Sequence, residues 1–356
     1  MWNILLFRIN STGTEDALRM KEILKRLCAD MGISGRESEM LNIVRELIGE
    51  SADVSADKNG NIIASLGDMN ADKHITIDAH IDRIGLIVTY IDDEGFIKAE
   101  NVGGIDPRIL PSSAVKVLGK EKISGVICTV PPHLTDGDDE PSRDRIWIDT
   151  GLSAAEVREL VSLGDSIIVC SRYTELLNDR VAVSALDDRS GCAVLINTIK
   201  LLKYRTLPCR VSFVFSVQEE TNELGAQTAA FSLSPDEAVV IDAGFAKQEG
   251  VPDEKSGDLG CGGIISIAPV LSKAVTDKLI DISKRLDMKC DYEVSGSTTG
   301  TNADKIAVSG SGVRTGVISI PSKNMHTQTE IVSIKDMEKI SELLAVYITE
   351  GGAENA

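Results

Sequence analysis

The sequence predicts an α/β fold: a mostly parallel sheet with helices on both faces, interrupted by an inserted, barrel-like β domain. Two observations support this. In the first and last parts of the chain, short apolar runs alternate with helical patterns, which is typical of parallel sheets. Between residues 85 and 184, short β-like runs recur between glycine, proline and acidic turns, as in barrels and sandwiches. We therefore expect a discontinuous α/β domain, 20–84 plus 185–356, around a β-rich domain, 85–184.

The first part of the chain contains two predicted helices and three predicted strands. Residues 1–19 are poorly patterned and are expected to form a loose N-terminal extension. An amphipathic helix is predicted from Met20 to Ala29, and a second one at about 37–49 follows a Gly-Ile-Ser-Gly turn. The predicted strands are 54–57, 61–66 and 75–80.

The inserted segment is expected to be almost entirely β-structure. One helix, 153–162, interrupts it, with Ser153 as N-cap and Glu156 at the capping-box position. The stretch 135–145 is strongly charged, which indicates a solvated loop. The predicted strands are 86–91, 96–99, 114–118, 123–130 and 166–169.

After residue 184 the α/β pattern returns. A long apolar helix is predicted at 190–202, followed by a buried strand at 211–217 and another at 238–241. The remaining predictions are strands 264–267 and 316–320 and helices near 225–231, 276–286, 303–308 and 334–348.

Composition excludes several classes of function. The chain has 356 residues, 42% of them hydrophobic, and a formal net charge of -18, which argues against nucleic acid or an anionic membrane as a partner. Its seven cysteines form no C-x-x-C pair, as expected of reduced thiols in a cytosolic protein. No apolar run reaches the roughly 18 residues of a membrane span, and no signal peptide is recognisable. We expect a cytoplasmic protein.

Acidic residues follow the predicted strands, where α/β proteins usually bind ligands. Glu219 and Glu220 come directly after the strand 211–217. Two adjacent carboxylates repel each other, so burying both requires a cation. His80 ends another strand and lies at strand spacing from Asp82, which suits a metal ligand and the carboxylate that orients it.

Further candidates lie at other strand ends and at a helix start. Asp187 and Asp188 precede the long apolar helix, where helix capping is the simpler explanation. Asp242 ends the strand 238–241, and His326 follows the strand 316–320. The full constellation is His80, Asp187, Glu219, Glu220, Asp242 and His326.

Two histidines with several carboxylates suit zinc, cobalt or manganese. Two such metals about 3.5–4 Å apart, sharing one carboxylate, would activate a water molecule. One carboxylate must then stay off the metals as general base, and these residue types alone leave open whether Glu219 or Glu220 has that role.

The chain resembles the M42 metallopeptidases, which are cytoplasmic di-metal aminopeptidases that include glutamyl aminopeptidases. The resemblance extends from about Met20 to Ile348 and follows the family order. The matching stretches are Asp57-Lys-Asn-Gly-Asn-Ile-Ile63, His80-Ile-Asp-Arg-Ile-Gly85, Gly103-Gly-Ile-Asp106, Pro131-Pro-His133, Ala185-Leu-Asp-Asp-Arg189, Val217-Gln-Glu-Glu220, Ile241-Asp242, Gly300-Thr-Asn-Ala303 and Met325-His326.

The resemblance implies a role for each candidate residue. One metal would be held by His80 and Asp242, and the other by Glu220 and His326. Asp187 would bridge both metals, Glu219 would be the general base and Asp82 would orient His80. The resemblance also implies a zinc-exopeptidase-like domain with an inserted dimerisation domain, and dimers that assemble into a tetrahedral dodecamer.

Three departures from the family pattern bear on substrate preference. Arg83 stands where the family usually has Glu, Asn302 where Asp is common, and Thr327-Gln328 where Ser-Pro is usual. A preference for acidic first residues requires a basic group in the substrate pocket, and Arg83 and Arg314 are candidates for that group.

The function expected from these observations is hydrolysis of the N-terminal residue of short peptides. A metal-bridging hydroxide would attack the scissile carbonyl, with Glu219 moving the proton. The alternatives are a metal-dependent deacylase of a small amide metabolite, a glycoside hydrolase and a non-catalytic scaffold. A glycosidase is disfavoured because it needs no histidine ligands and usually lines its cleft with aromatics, which are only 4% of this chain.

Overall fold

The computed structural model describes residues 13–29, 31–131, 133 and 146–354. The first twelve residues of the predicted extension, and the whole of the predicted charged loop 135–145, lie outside these ranges. Among the helices that are described, none is both long enough and apolar enough to cross a membrane.

The described chain contains an α/β unit and a closed barrel. Its strands are β1 (Asp53–Ala56), β2 (Ile62–Leu66), β3 (His74–His80), β4 (Gly85–Ile91), β5 (Ile97–Val102), β6 (Ala114–Leu118), β7 (Lys122–Ile127), β8 (Trp147–Asp149), β9 (Ser166–Val169), β10 (Thr174–Leu176), β11 (Arg180–Val183), β12 (Arg210–Ser216), β13 (Glu237–Phe245), β14 (Ile264–Ile267), β15 (Asp291–Val294), β16 (Arg314–Ser322) and β17 (Glu330–Ser333). Its helices are α1 (Gly13–Leu27), α2 (Met40–Ile48), α3 (Ala154–Leu160), α4 (Leu186–Leu202), α5 (Glu219–Asn222), α6 (Leu224–Leu233), α7 (Lys273–Arg285), α8 (Ala303–Ala307) and α9 (Ile334–Thr349).

The main sheet has eight strands in the order β1-β2-β12-β3-β13-β16-β14-β15. The four central strands, β12, β3, β13 and β16, are all parallel to one another. The strands β2 and β14, on either side of them, are antiparallel to their central neighbours. This confirms a mostly parallel sheet. Parallel pairing places the carboxyl ends of the central strands at one edge, where Ser216 is in register with His80.

Apolar side chains cover both faces of this sheet. Along β13, Val239 and Ile241 belong to one core and Ala238 and Val240 to the other, because successive side chains of a strand point to opposite faces. The first core contains residues of α1, α2, α4, α7 and α9, and the second contains residues of α6 and α8. The doubly covered sheet predicted from the sequence is therefore confirmed.

The six strands β4, β5, β8, β7, β6 and β9 close into a barrel in that order, as the recurring short strands predicted. Alternate residues fill its interior, for example Leu86 and Val88, which are almost fully buried. Helix α3 follows the predicted capping box: the Ser153 hydroxyl accepts from the Glu156 amide, and the Glu156 carboxylate accepts from the Ser153 amide.

Several features differ from the sequence-based predictions. Helix α1 begins at Gly13 and not at the predicted Met20. The prediction started too late because the first turn of the helix is polar and has no apolar periodicity. The strands β10 and β11 pair with β17 in a separate three-stranded sheet and not with the barrel. The edge strand β15 has only four residues and was not predicted.

Candidate metal centre

The candidate ligands meet at the carboxyl edge of the main sheet. His80 is the last residue of β3, and Asp242 lies near the end of the neighbouring β13. Asp187 lies at the start of α4, beside that edge, in a peptide unit with Asp188 that is cis. Glu219 and Glu220 form the short helix α5 that directly follows β12.

One group of three residues is fully buried. The Nε2 atom of His80 lies 3.1 Å from Asp187 Oδ1 and 3.8 Å from Asp242 Oδ1. One ligand atom from each residue falls within 4.8 Å of the others, a spacing that fits a single metal ion. An imidazole nitrogen with two carboxylate oxygens is a donor set that zinc, cobalt and manganese accept.

A second group of three shares Asp187 with the first. The Nε2 atom of His326 lies 3.2 Å from Asp187 Oδ2 and 3.4 Å from Glu220 Oε2. These three residues also offer ligand atoms within 4.8 Å of one another. Asp187 therefore directs one carboxylate oxygen towards each histidine, which is the arrangement that a carboxylate shared between two metals requires.

The ring of His326 is fixed by its other nitrogen. Nδ1 lies 3.0 Å from the carbonyl oxygen of Gly104, to which it donates when it carries the proton, and Nε2 is then free to bind a metal. Residue 104 must be glycine for this contact, because a Cβ there would lie 2.9 Å from Nδ1 of His326.

Asp82 holds several parts of the centre together. Its Oδ1 atom lies 3.4 Å from Nδ1 of His80. The same carboxylate accepts hydrogen bonds from the backbone amides of Glu219, at 3.0 Å, and Glu220, at 3.2 Å. Asp82 thus orients one histidine and fixes the turn that carries both glutamates.

Glu219 lies beside the two groups and belongs to neither. Its Oε2 atom is 3.9 Å from Nε2 of His80, and its side chain is 14% exposed, so it has access to the cavity. Burial, together with the carboxylates of Asp187 and Asp82, raises its pKa to about 7. A carboxylate with these properties is suited to accept and return a proton.

The remaining pKa shifts indicate an excess of buried negative charge. Burial, with repulsion from neighbouring carboxylates, raises the pKa of Glu220 and Asp242 well above the usual range. The pKa of Asp187 is lowered: burial acts against this, but hydrogen bonds from His326 and His80 outweigh it. Bound cations would compensate the excess charge, so the electrostatics of these residues fit a metal centre.

Sequence reasoning missed Glu330, which is 1% exposed. Its carboxylate accepts from the backbone amide of Asp187, at 3.1 Å, and from that of His326, at 2.8 Å. It therefore positions two candidate ligands from a different sheet. In the sequence, Glu330 could have been recognised as an acidic residue four positions after His326, at the start of the strand β17. That strand was itself not predicted.

The departures from the family pattern have structural explanations. Asn302 is buried and donates through Nδ2 to Asp78 Oδ1 and to Ser216 Oγ, both at 2.8 Å; an aspartate could not make these donations. Gln328 donates to the hydroxyl of Ser113, at 2.7 Å, and so links the His326 loop to the barrel domain.

Neither candidate arginine lines the cavity beside the metal centre. Arg83 is 3% exposed and donates to the Ser184 hydroxyl at 2.8 Å. Arg314 lies at the opposite, amino edge of the sheet, where it pairs with Glu237 at 3.0 Å. A larger cavity of about 550 Å³ lies at that edge, but no group of candidate metal ligands from the described residues lies there.

The cavity beside the metal centre has a volume of about 440 Å³. It is lined by candidate ligands, by Glu219 and by loops that follow the sheet strands, and Phe245 is the single aromatic among its described lining residues. This volume suits the end of a peptide better than a long polysaccharide, which would require aromatic platforms.

The chain matches the model of the M42 glutamyl aminopeptidase family over residues 60–343. It belongs to the M42 family. The chain is 33% identical over 337 residues to a putative aminopeptidase of Acetivibrio thermocellus, covering 92% of this chain and 98% of that protein. It is 29% identical over 338 residues to the lysyl aminopeptidase of Pyrococcus furiosus, covering 92% of this chain and 96% of that protein.

The fold is also similar to that of a solved peptidase structure. The TM-score to the Pyrococcus horikoshii TET1 peptidase is 0.84 at 32% identity, covering 93% of this chain and 99% of that one. That peptidase can assemble into a tetrahedron or a large octahedral shell. As an M42 member, this protein is a peptide hydrolase of a metal-dependent family.

Proposed function

We propose that this protein is a di-metal aminopeptidase that removes the N-terminal residue from short peptides. His80 and Asp242 hold one metal, Glu220 and His326 hold the other, and Asp187 bridges them. The observation that carries the proposal is the position of Asp187, whose two carboxylate oxygens lie 3.1 and 3.2 Å from the two histidines.

When bound, two divalent cations acidify a water molecule and polarise the scissile carbonyl. The protein residues do the remaining work. Glu219, held by the hydrogen bond between its amide and Asp82, takes a proton from the attacking water and delivers it to the leaving amine. Its side chain is mostly buried, which keeps the carboxylate basic enough for this transfer.

The test is hydrolysis of aminoacyl-chromophore substrates by protein stripped of metal and reloaded separately with zinc, cobalt or manganese. We expect no turnover without metal and restored turnover at two metals per chain, with zinc or cobalt the most effective. Full activity of the stripped protein would contradict the proposal.

A metal-dependent deacylase would use the same residues, so the substrate panel must separate the two functions. Peptides with a free α-amine and their N-acetylated counterparts are compared at equal concentration. An aminopeptidase cleaves only the free-amine peptides, whereas a deacylase releases the acetyl group. A folded protein that binds less than one metal per chain would support the scaffold alternative.

We further propose that the chain forms homodimers through the barrel domain and that the dimers assemble into a tetrahedral dodecamer. The likeness to a peptidase that forms a tetrahedron supports this. On the barrel, Tyr90 is 52% exposed and Val126 is 48% exposed, so both apolar side chains are available for contact with a second copy of the chain. Light scattering after size-exclusion chromatography should give twelve chains per particle; a monomer would contradict the proposal.

A cytoplasmic location is part of the same proposal. None of the seven cysteines forms a disulfide within the described residues, as expected in a reducing compartment. The net charge of -18 argues against nucleic acid or an anionic membrane as the partner. Fractionation of cells that make the protein would test the location.

A further inference from the structure

We infer that the cavity selects peptides whose first residue carries a positive charge, lysine or arginine, and that Glu223 and Glu293 recognise this charge. The inference rests on the proposed aminopeptidase function. Both glutamates line the 440 Å³ cavity beside the metal centre, and neither belongs to a candidate metal group.

The charge balance of the cavity leads to this inference. Asp187, Glu220, Asp242 and Glu219 bring four negative charges, which two divalent cations would neutralise. Glu223 and Glu293 then remain as two further carboxylates in the same cavity. Among the described residues that line it, no lysine or arginine is present to neutralise them. A substrate that brings its own cation meets this requirement.

Glu223 lines the cavity from a turn with an unusual backbone conformation. It lies in the left-handed region, with φ of 58°, between the short helix α5 and α6. Its amide donates to the carbonyl of Glu219 at 3.1 Å, which fixes its position beside the proposed base. Its Oε2 atom is buried and has no hydrogen-bond partner among the described residues, so an ammonium group that displaces the side chains covering this oxygen would supply the donor it lacks.

Glu293 lies on a separate wall of the cavity, on the edge strand β15. Burial raises the pKa of both glutamates. The charge of Lys305 opposes this shift at Glu223, and the charge of Lys255 opposes it at Glu293. Neither lysine lines the cavity. The carboxylates thus remain available to a ligand, from two different elements of the fold.

The test compares substrates that differ only in this charge. Lysyl and norleucyl p-nitroanilides have side chains of the same carbon length, and glutamyl p-nitroanilide reverses the charge. For the metal-loaded wild type we expect kcat/KM to be at least about tenfold higher for lysyl than for norleucyl, because a hydrogen bond to a charged group is worth that factor or more. Glu223→Gln should lower this ratio about tenfold, and Glu223→Lys should shift the preference towards glutamyl.

A second readout does not depend on turnover. Calorimetry with the metal-loaded Glu219→Gln protein measures the binding of lysinamide and norleucinamide, and we expect tighter binding of lysinamide.

Glu94→Gln is the matched control for the kinetic comparison, since it removes an equal charge from an exposed turn of the barrel domain. It should leave the lysyl to norleucyl ratio unchanged.

The outcomes separate this inference from the proposed function. Equal or better use of norleucyl or glutamyl substrates by an active wild type would overturn the inference and leave the aminopeptidase function intact. An unchanged ratio in Glu223→Gln and Glu293→Gln would also overturn it. Failure to hydrolyse any aminoacyl substrate with any of the three metals would overturn the proposed function itself.

Discussion

Replacing Glu219 by glutamine removes the proposed general base while leaving the shape of the centre nearly unchanged. Glutamine has the same length, and the hydrogen bond from residue 219 to Asp82 is made by the backbone amide. Neither candidate metal group includes Glu219. The substitution therefore separates proton transfer from metal binding.

We expect kcat to fall by about 10²–10⁴-fold, the usual contribution of a positioned acid–base group. That loss corresponds to about 3–5 kcal/mol of transition-state stabilisation. The metal content should stay at the wild-type value, as measured by mass spectrometry of the dialysed protein. The melting temperature should not decrease, because burying an amide is less costly than burying a carboxylate.

The control is Glu94→Gln, which should turn over like the wild type. A Glu219→Gln enzyme that keeps more than about one tenth of wild-type kcat would refute the role of Glu219 as base. Loss of one metal in this variant would instead identify Glu219 as a ligand and would transfer the role of base to Glu220.

The other predictions concern the ligands, their support and the stability of the fold. Asp187→Asn should weaken both metals, whereas His326→Ala should leave about one metal per chain in titrations followed by mass spectrometry; equal losses in the two variants would argue against a shared carboxylate. Glu330→Gln should weaken metal binding about 10–100-fold, because its side chain keeps one acceptor oxygen and can hold only one of the Asp187 and His326 amides; unchanged affinity would make Glu330 a purely structural residue. Burial and the Arg210 guanidinium lower the pKa of His74 to about 4. The folded protein therefore holds this histidine neutral, and its contribution to the free energy of unfolding is complete above pH 6.5. That contribution is lost as the pH falls towards 4, because the unfolded chain takes up the proton first. In urea unfolding, the stability advantage of wild type over His74→Gln should shrink by about 2 kcal/mol across that range; a difference independent of pH would contradict this.

The sequence was sufficient for the architecture because its strands are short and strongly patterned. The apolar run 211–217 predicts β12, and the acids that follow it lie at the carboxyl edge because parallel strands end at the same side of a sheet. The capping box of α3 was equally local, since Ser153 and Glu156 are only three positions apart. Patterns of this kind require no knowledge of distant contacts.

What the sequence could not provide was the set of contacts between loops. Glu330 supports Asp187 across 143 positions of the chain, and no local pattern indicates such a pairing. Glu223 lines the cavity from a turn with a left-handed backbone angle that its neighbours in sequence do not specify. The position of Asp187 between the two histidines was likewise implied only by the family resemblance, because charge and residue type left the division of roles open.

The central claim is that Asp187 bridges two metals, and anomalous scattering from a crystal of zinc-loaded protein tests it most directly. We predict two zinc peaks per chain, about 3.5–4 Å apart. One peak should lie beside His80 and Asp242 and the other beside Glu220 and His326, with one oxygen of Asp187 at each. A single peak per chain, or two peaks of which only one contacts Asp187, would contradict the claim.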